Sequence, residues 1–147
     1  MQAQEITPRI SIAGQPTAED LAALKAEGYT GVVNLRHDGE PEQPLSSAAE
    51  GDLVRQDGLE YLHYAVGGAP LTFQGVAAVC DLLDRHADGK VLVHCKRGGR
   101  ALALVLLHLA KSQNWPTDEV ITRGQASGIT LDGGLRQLVQ LYLDQQG

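Results

Sequence analysis

The chemistry of this chain concentrates in residues 90–100: Lys90, Val91, Leu92, Val93, His94, Cys95, Lys96, Arg97, Gly98, Gly99 and Arg100. One cysteine lies there among two glycines and three cations downstream of it. Gly98 and Gly99 tolerate positive φ and let successive N–H groups turn inward. Such a nest binds a tetrahedral oxyanion. Cys95 sits at the base of the nest. Lys96, Arg97, Arg100 and the positive end of a following helix all favour its thiolate, the nucleophilic form. Arg100 is a bidentate clamp for phosphate or sulfate oxygens. The competing reading is a plain strand-to-helix turn around a buried, inert cysteine. Three cations at a helix start argue against it.

The elements that must hold this loop are legible on both sides of it. Val91, Leu92 and Val93 form an apolar run suited to a strand covered on both faces. Residues 101–107 form a helix buried nearly all round. Upstream, residues 9–13 alternate as a first strand. Thr17 caps a helix through Glu27, with Asp20 at the capping-box position and Gly28 as its stop. Residues 31–35 make a second strand, followed by a polar loop over 36–44. Ser46 or Ser47 starts a helix to about Asp57, and residues 59–66 make a third strand. Thr72 caps a helix to about His86, with Val76, Val79, Leu82 and Leu83 inward. Beyond Trp115 and Pro116, Thr117 caps a short helix to Ser127, and residues 135–144 make a last helix.

Strands and helices alternate, which predicts an α/β fold: a three-layer α/β/α arrangement on a mostly parallel sheet. Ligands in such folds bind at the carboxyl ends of strands. Three loops leave those ends: 36–44, 67–70 and 95–100.

The chain has 147 residues, which fits one domain over 1–147. Its net charge of −6 and the lack of a basic stripe argue against nucleic acid as a partner. A positive loop in an acidic protein suits a small anionic substrate instead. Cys80 and Cys95 are its two cysteines, so a disulfide scaffold is not expected and a reducing cytoplasm fits. Residues 1–20 carry charges and no apolar core, so no signal peptide is read there. No apolar run is long enough to span a bilayer, so no membrane role is expected. His63 and His108 lack partners at ligand spacing, which predicts no metal site. No cofactor is implied, and oligomeric state is not readable. Cys80, among Val76, Val79 and Leu83, reads as a core thiol.

His94-Cys95 followed by a glycine-containing loop and Arg100 resembles the phosphate-binding loop of the protein tyrosine phosphatase superfamily. The usual loop there has five residues between Cys and Arg and then Ser or Thr. This chain has four, and then Ala101. The shorter spacing is similar to the bacterial beta-lactamase-hydrolase-like phosphatase domain family and to the rhodanese sulfurtransferases. The wider chain resembles the first. Residues 6–17 are similar to that family's strand followed by Gly-Gln-Pro. Residues 33–40, with Asn34, Leu35, Arg36, His37, Asp38, Gly39 and Glu40, are similar to its Asn-Leu-Arg-Pro-Asp-Gly-Glu loop. The segment 58–66 and the Cys95 loop follow in order.

The resemblance implies a cysteine-dependent phosphatase, dual-specificity-like, acting on a phosphate ester or other small oxyanion, phosphoproteins included. Cys95 would attack phosphorus, and Arg100 with Lys96, Arg97, Gly98 and Gly99 would hold the oxygens. His94 would orient the loop, or is simply a packed strand histidine; Arg36 and His37, leaving a strand at the ligand edge, either extend the anion site or are simply exposed. Related phosphatases carry a general acid in the loop before the nucleophile's strand. Residues 67–70 hold none, so Asp38 is the expected substitute, with Glu40 behind it. Sulfur transfer through a Cys95 persulfide needs no such acid and is the alternative. A third reading is an oxyanion-binding module without turnover.

Overall fold

The computed structural model describes residues 3–67 and 71–126. Five strands and five helices alternate along them: β1 (Gln4–Thr7), β2 (Ile10–Ala13), α1 (Ala18–Ala23), β3 (Tyr29–Asn34), α2 (Ser47–Gln56), β4 (Glu60–His63), α3 (Phe73–Arg85), β5 (Lys90–His94), α4 (Gly99–Gln113) and α5 (Thr117–Ala126). The sheet runs β1-β2-β5-β3-β4. Only the β1–β2 pair is antiparallel.

β5 lies at the centre because its sequence is apolar on both faces. Val93 pairs in register with Ile12 on one side and Val33 on the other. Val91 and Val93 face a core built with Val79, Leu82, Leu104 and Leu107 of α3 and α4. Leu92 faces the opposite core, with Leu21 and Leu24 from the α1 segment and Val54 of α2. The helices therefore cover both faces, and the expected three-layer α/β/α fold is present. Neighbouring residues of β5 point to opposite sides, as the two-residue repeat of a strand requires.

Local chemistry fixes the helix starts. Thr17 and Asp20 form a reciprocal capping box: the Asp20 N–H donates to Thr17 Oγ1 at 3.1 Å, and the Thr17 N–H donates to Asp20 Oδ2 at 2.8 Å. At α2 and α3 the cap is one-sided: Ser46 Oγ accepts from the Ala49 N–H and Thr72 Oγ1 from the Gly75 N–H. The expected helix through Glu27 is shorter, ending at Ala23. Hydrogen-bonded turns then carry the chain to Gly28. The third strand is also shorter than 59–66. Past His63 the chain still donates from Tyr64 and Val66 to the Asn34 and Leu35 carbonyls, both at 2.9 Å. Strand β1 was not expected. It is a half-exposed edge strand without an apolar run, so periodicity carries little trace of it. The expected last helix over 135–144 and most of the loop 67–70 lie outside the described residues.

Because β3, β4 and β5 are parallel, the loops after them open at one edge of the sheet. The end of β2 reaches the same edge through Gly14 and Gln15.

Candidate active site

Strand β5 delivers Cys95 to this edge. The Cys95 N–H donates to the Ala13 carbonyl at 3.2 Å, which anchors the start of the loop to β2. Four residues later the chain must already be helical. Gly98 makes the turn at φ 98°, a left-handed conformation open to glycine without strain. Its N–H then donates to Cys95 Sγ at 3.1 Å. A backbone donor at the start of α4 is thus aimed at the sulfur, as the nest argument requires. Cys95 is buried beneath the loop.

Close packing shapes the loop from the other side. A Cβ on Gly14 would stand 2.8 Å from the Lys96 carbonyl oxygen, so only glycine allows β2's exit to pass here. The next residue uses the same carbonyl: the Gln15 N–H donates to Lys96 O at 3.3 Å.

Arg100 closes the loop. Nη1 and Nη2 donate to Glu40 Oε2 and Oε1, both at 2.8 Å. Nη1 also donates to Val66 O at 3.0 Å and Leu35 O at 3.3 Å. A guanidinium has five N–H groups arranged as a fork. Glu40 takes the end formed by the two terminal nitrogens, and the two carbonyls take the second Nη1 hydrogen. The Nε and Nη2 side takes none of these oxygens, and with the Cys95 sulfur beside the guanidinium it is a second bidentate edge suited to an oxyanion. Its hydrogen bonds to Glu40 raise the pKa of Arg100, and the nearby Cys95 sulfur raises it further. Glu40 is held down to about 2, first by its hydrogen bonds from Arg100. It serves Arg100 as a fixed anion.

The expected roles of Arg36 and Asp38 need correction, and His94 lies behind the loop. Arg36 cannot extend the anion site, because its side chain is wholly buried. Its Nε donates to Glu40 Oε1 at 3.2 Å, Nη1 to Gln15 Oε1 at 2.7 Å and Nη2 to Pro41 O at 2.6 Å. It is a strut under the loop 36–44. His94 is also wholly buried, with Nε2 donating to Glu50 Oε2 at 2.6 Å. It is packed into the scaffold behind Cys95 and presents no surface to a substrate. Asp38 is exposed and bound elsewhere. Its carboxylate accepts from the Ser47 N–H and from Ser47 Oγ, both at 2.7 Å. The Ser47 N–H lowers its pKa, so it is held as an anion at the start of α2 and not as an acid beside Cys95.

The remaining cations keep their places at the loop. Lys96 is half-buried and Arg97 exposed. His37, also exposed, ties the loop 36–44 to the next one, with Nε2 donating to Gly67 O at 2.8 Å. Sequence reasoning missed Glu50 and the bridging role of Gln15. Glu50 stands four residues before Val54, on the buried stripe of α2. A carboxylate on an apolar stripe is the signal that could have found it.

This geometry joins a cysteine, a helix start and an arginine at one edge of the sheet. A family described as "Beta-lactamase hydrolase-like protein, phosphatase-like domain" matches residues 2–112. The chain belongs to that family. A beta-lactamase hydrolase-like protein of Xylella fastidiosa is 36% identical over 132 residues, covering 89% of this chain and 30% of its own length. The chain thus spans about a third of the curated relatives it matches first. A DUF442 protein from Shewanella putrefaciens superposes with a TM-score of 0.74 at 26% identity, covering 99% of this chain and 93% of that one. The structure of Tk-PTP in its active form shares the fold, with a TM-score of 0.80 at 21% identity, 99% of this chain and 97% of that one. The family resemblance read from the Cys95 loop and the segments 6–17 and 33–40 is therefore correct.

Proposed function

We propose that this chain is a cysteine-dependent phosphatase that hydrolyses phosphomonoesters through a cysteinyl-phosphate on Cys95. The observation that carries this reading is the guanidinium of Arg100 beside Cys95, held by Glu40 at one edge, on a loop whose Gly98 N–H points at Cys95 Sγ. Membership in a phosphatase-like domain family supports it.

In the proposed reaction the Cys95 thiolate attacks phosphorus and displaces the leaving oxygen. The loop N–H groups and Arg100 hold the equatorial oxygens, where charge gathers in the transition state. Water then attacks the cysteinyl-phosphate and returns the electron pair to sulfur. Lys96 and Arg97 draw anionic substrates to the rim, phosphoproteins among them. Asp38 and Glu40 are both held as anions by other partners, so leaving groups that depart without a proton, such as acidic phenols, are the preferred substrates. Aryl-phosphate hydrolysis by the protein and by Cys95→Ser tests this. The reading requires turnover that disappears in the variant, and full activity in Cys95→Ser excludes it.

One observation favours a second reading. Both candidate carboxyls are engaged, and Ala101 offers no hydroxyl to the sulfur. Sulfur transfer through a Cys95 persulfide requires neither. Thiosulfate would then add one sulfur to Cys95, removable by cyanide, and an unchanged protein mass counts against it.

A further inference from the structure

Behind the Cys95 loop runs an unbroken chain of side-chain hydrogen bonds. His94 donates to Glu50 at 2.6 Å. Glu50 Oε1 accepts from Gln15 Nε2 at 3.2 Å. Gln15 Oε1 accepts from Arg36 at 2.7 Å, and Arg36 Nε donates to Glu40 at 3.2 Å. Glu40 holds both terminal nitrogens of Arg100 at 2.8 Å. The chain begins at the residue before Cys95 and ends at the arginine that closes the loop. His94, Glu50 and Arg36 are 0% exposed.

We propose that these six side chains form a positioning relay, with Gln15 as its central link, that fixes the two ends of the Cys95 loop at the separation an oxyanion needs. The inference rests on reading that loop as the oxyanion site.

The chemistry of the central link is restrictive. Glu50 and Arg36 bring a carboxyl group and a guanidinium into the interior, and Gln15 bridges them. Only a neutral group with a donor and an acceptor at one end can face both. An amide does so, its nitrogen towards the carboxylate and its oxygen towards the guanidinium. A glutamate there would set a second carboxylate against Glu50. A lysine would set a cation against Arg36. Methionine would fill the length and satisfy neither. In a low-dielectric interior, each such loss is felt along the whole network.

Two backbone contacts couple Gln15 directly to the loop. Its N–H meets the Lys96 carbonyl, and Gly14 packs against that same oxygen. Movement of Gln15 therefore displaces the loop backbone as well as the struts beneath Arg100.

The test is a double-mutant cycle on oxyanion affinity. Gln15→Met, Glu50→Gln and the double variant are compared with the unaltered protein by tungstate calorimetry and aryl-phosphate kinetics. Circular dichroism and thermal unfolding report the folded fraction. Gln15 is partly exposed and Met matches its length, so this variant keeps the experiment readable where a buried change unfolds the chain. Each single change is expected to weaken tungstate binding per folded molecule about tenfold. The double variant should be no worse than the weaker single, because one broken link already opens the chain. Unchanged tungstate affinity with only a lower Tm would overturn the proposal, as would independent, additive losses. Absence of tungstate binding by the unaltered protein would overturn it too. Coupled tungstate losses without any aryl-phosphate turnover would support the relay while sinking the phosphatase reading.

Discussion

Arg100 meets two demands with one guanidinium: one edge is fixed by Glu40, Leu35 and Val66, and the other is left for an oxyanion. Lysine has a single point charge and no fork. Arg100→Lys should therefore keep the fold and lower kcat/KM for an aryl phosphate about 100-fold, the usual scale for one lost transition-state donor. Steady-state kinetics checks it, and activity near the unaltered level would contradict the assignment. Glu40 makes a matching prediction in pH. Its carboxyl is lowered from 4.5 to about 2 in the fold. A lowered carboxyl contributes stability that is present above its unfolded pKa and is lost as pH falls through the folded one. Denaturant unfolding of the protein and of Glu40→Gln should show a gap at about pH 7 that narrows by about pH 3. A gap that widens in acid would show that Glu40 is not held by charge.

Which residues meet was only partly legible at this scale. Cys95 and Arg100 declare themselves by type and by the glycines between them. His94 was legible as a neighbour of the nucleophile. Strand alternation places it with Leu92 on the α1 and α2 face, and the one trace of its partner in residues 47–56 is a carboxylate, Glu50, on the buried stripe with Val54. Arg36 and Asp38 misled for one reason. A charged residue in a loop reads as solvent-facing, and the partners that bury Arg36 or fix Asp38 come from Gln15, Pro41 and Ser47, which no local pattern links to them.

Among the elements, the parallel sheet does the positioning. The ends of β2, β3, β4 and β5 meet at one edge, and the start of α4 supplies the N–H that meets the sulfur. The tight point is the exit of β2. Gly14→Ala would press a methyl group into the Lys96 carbonyl. Overpacking of that kind costs about 1–3 kcal/mol. The expected outcome is a lower Tm together with weakened oxyanion binding, since the displaced atom belongs to the loop. A lower Tm with unaltered binding would mean that the loop tolerates the shift. Asp38→Asn acts on a different element, the first turn of α2, and should leave kcat for an aryl phosphate unchanged while lowering Tm. A large loss of kcat would restore Asp38 to the reaction. The principal elements were legible because capping residues and apolar stripes agree: Thr17 with Asp20, Thr72 before α3, and residues 101–107 inside α4. Strand β1 was not, because an edge strand needs no apolar face.

Across the whole molecule, two cores on opposite faces of one sheet keep the loop ends in register. Leu104, fully buried in α4, belongs to the larger core. Leu104→Ala should destabilise the fold by about 2–5 kcal/mol through lost burial and the cavity left behind. Folded molecules should keep their oxyanion affinity, since Leu104 lies below the loop and not in it. Chemical unfolding beside tungstate binding separates the two effects. Among the described residues, no helix is long and apolar enough to cross a membrane. The curated relatives are about three times longer than this chain, so the loop described here is one part of those proteins.

The central claim is covalent chemistry at Cys95, and its most direct measurement is the mass of the protein after rapid acid quenching with an aryl phosphate. The account predicts one added phosphoryl group, located on Cys95 by peptide analysis and absent from Cys95→Ser. Turnover that continues in Cys95→Ser without any adduct would contradict it. So would a protein inert to aryl phosphates that gains a single sulfur from thiosulfate.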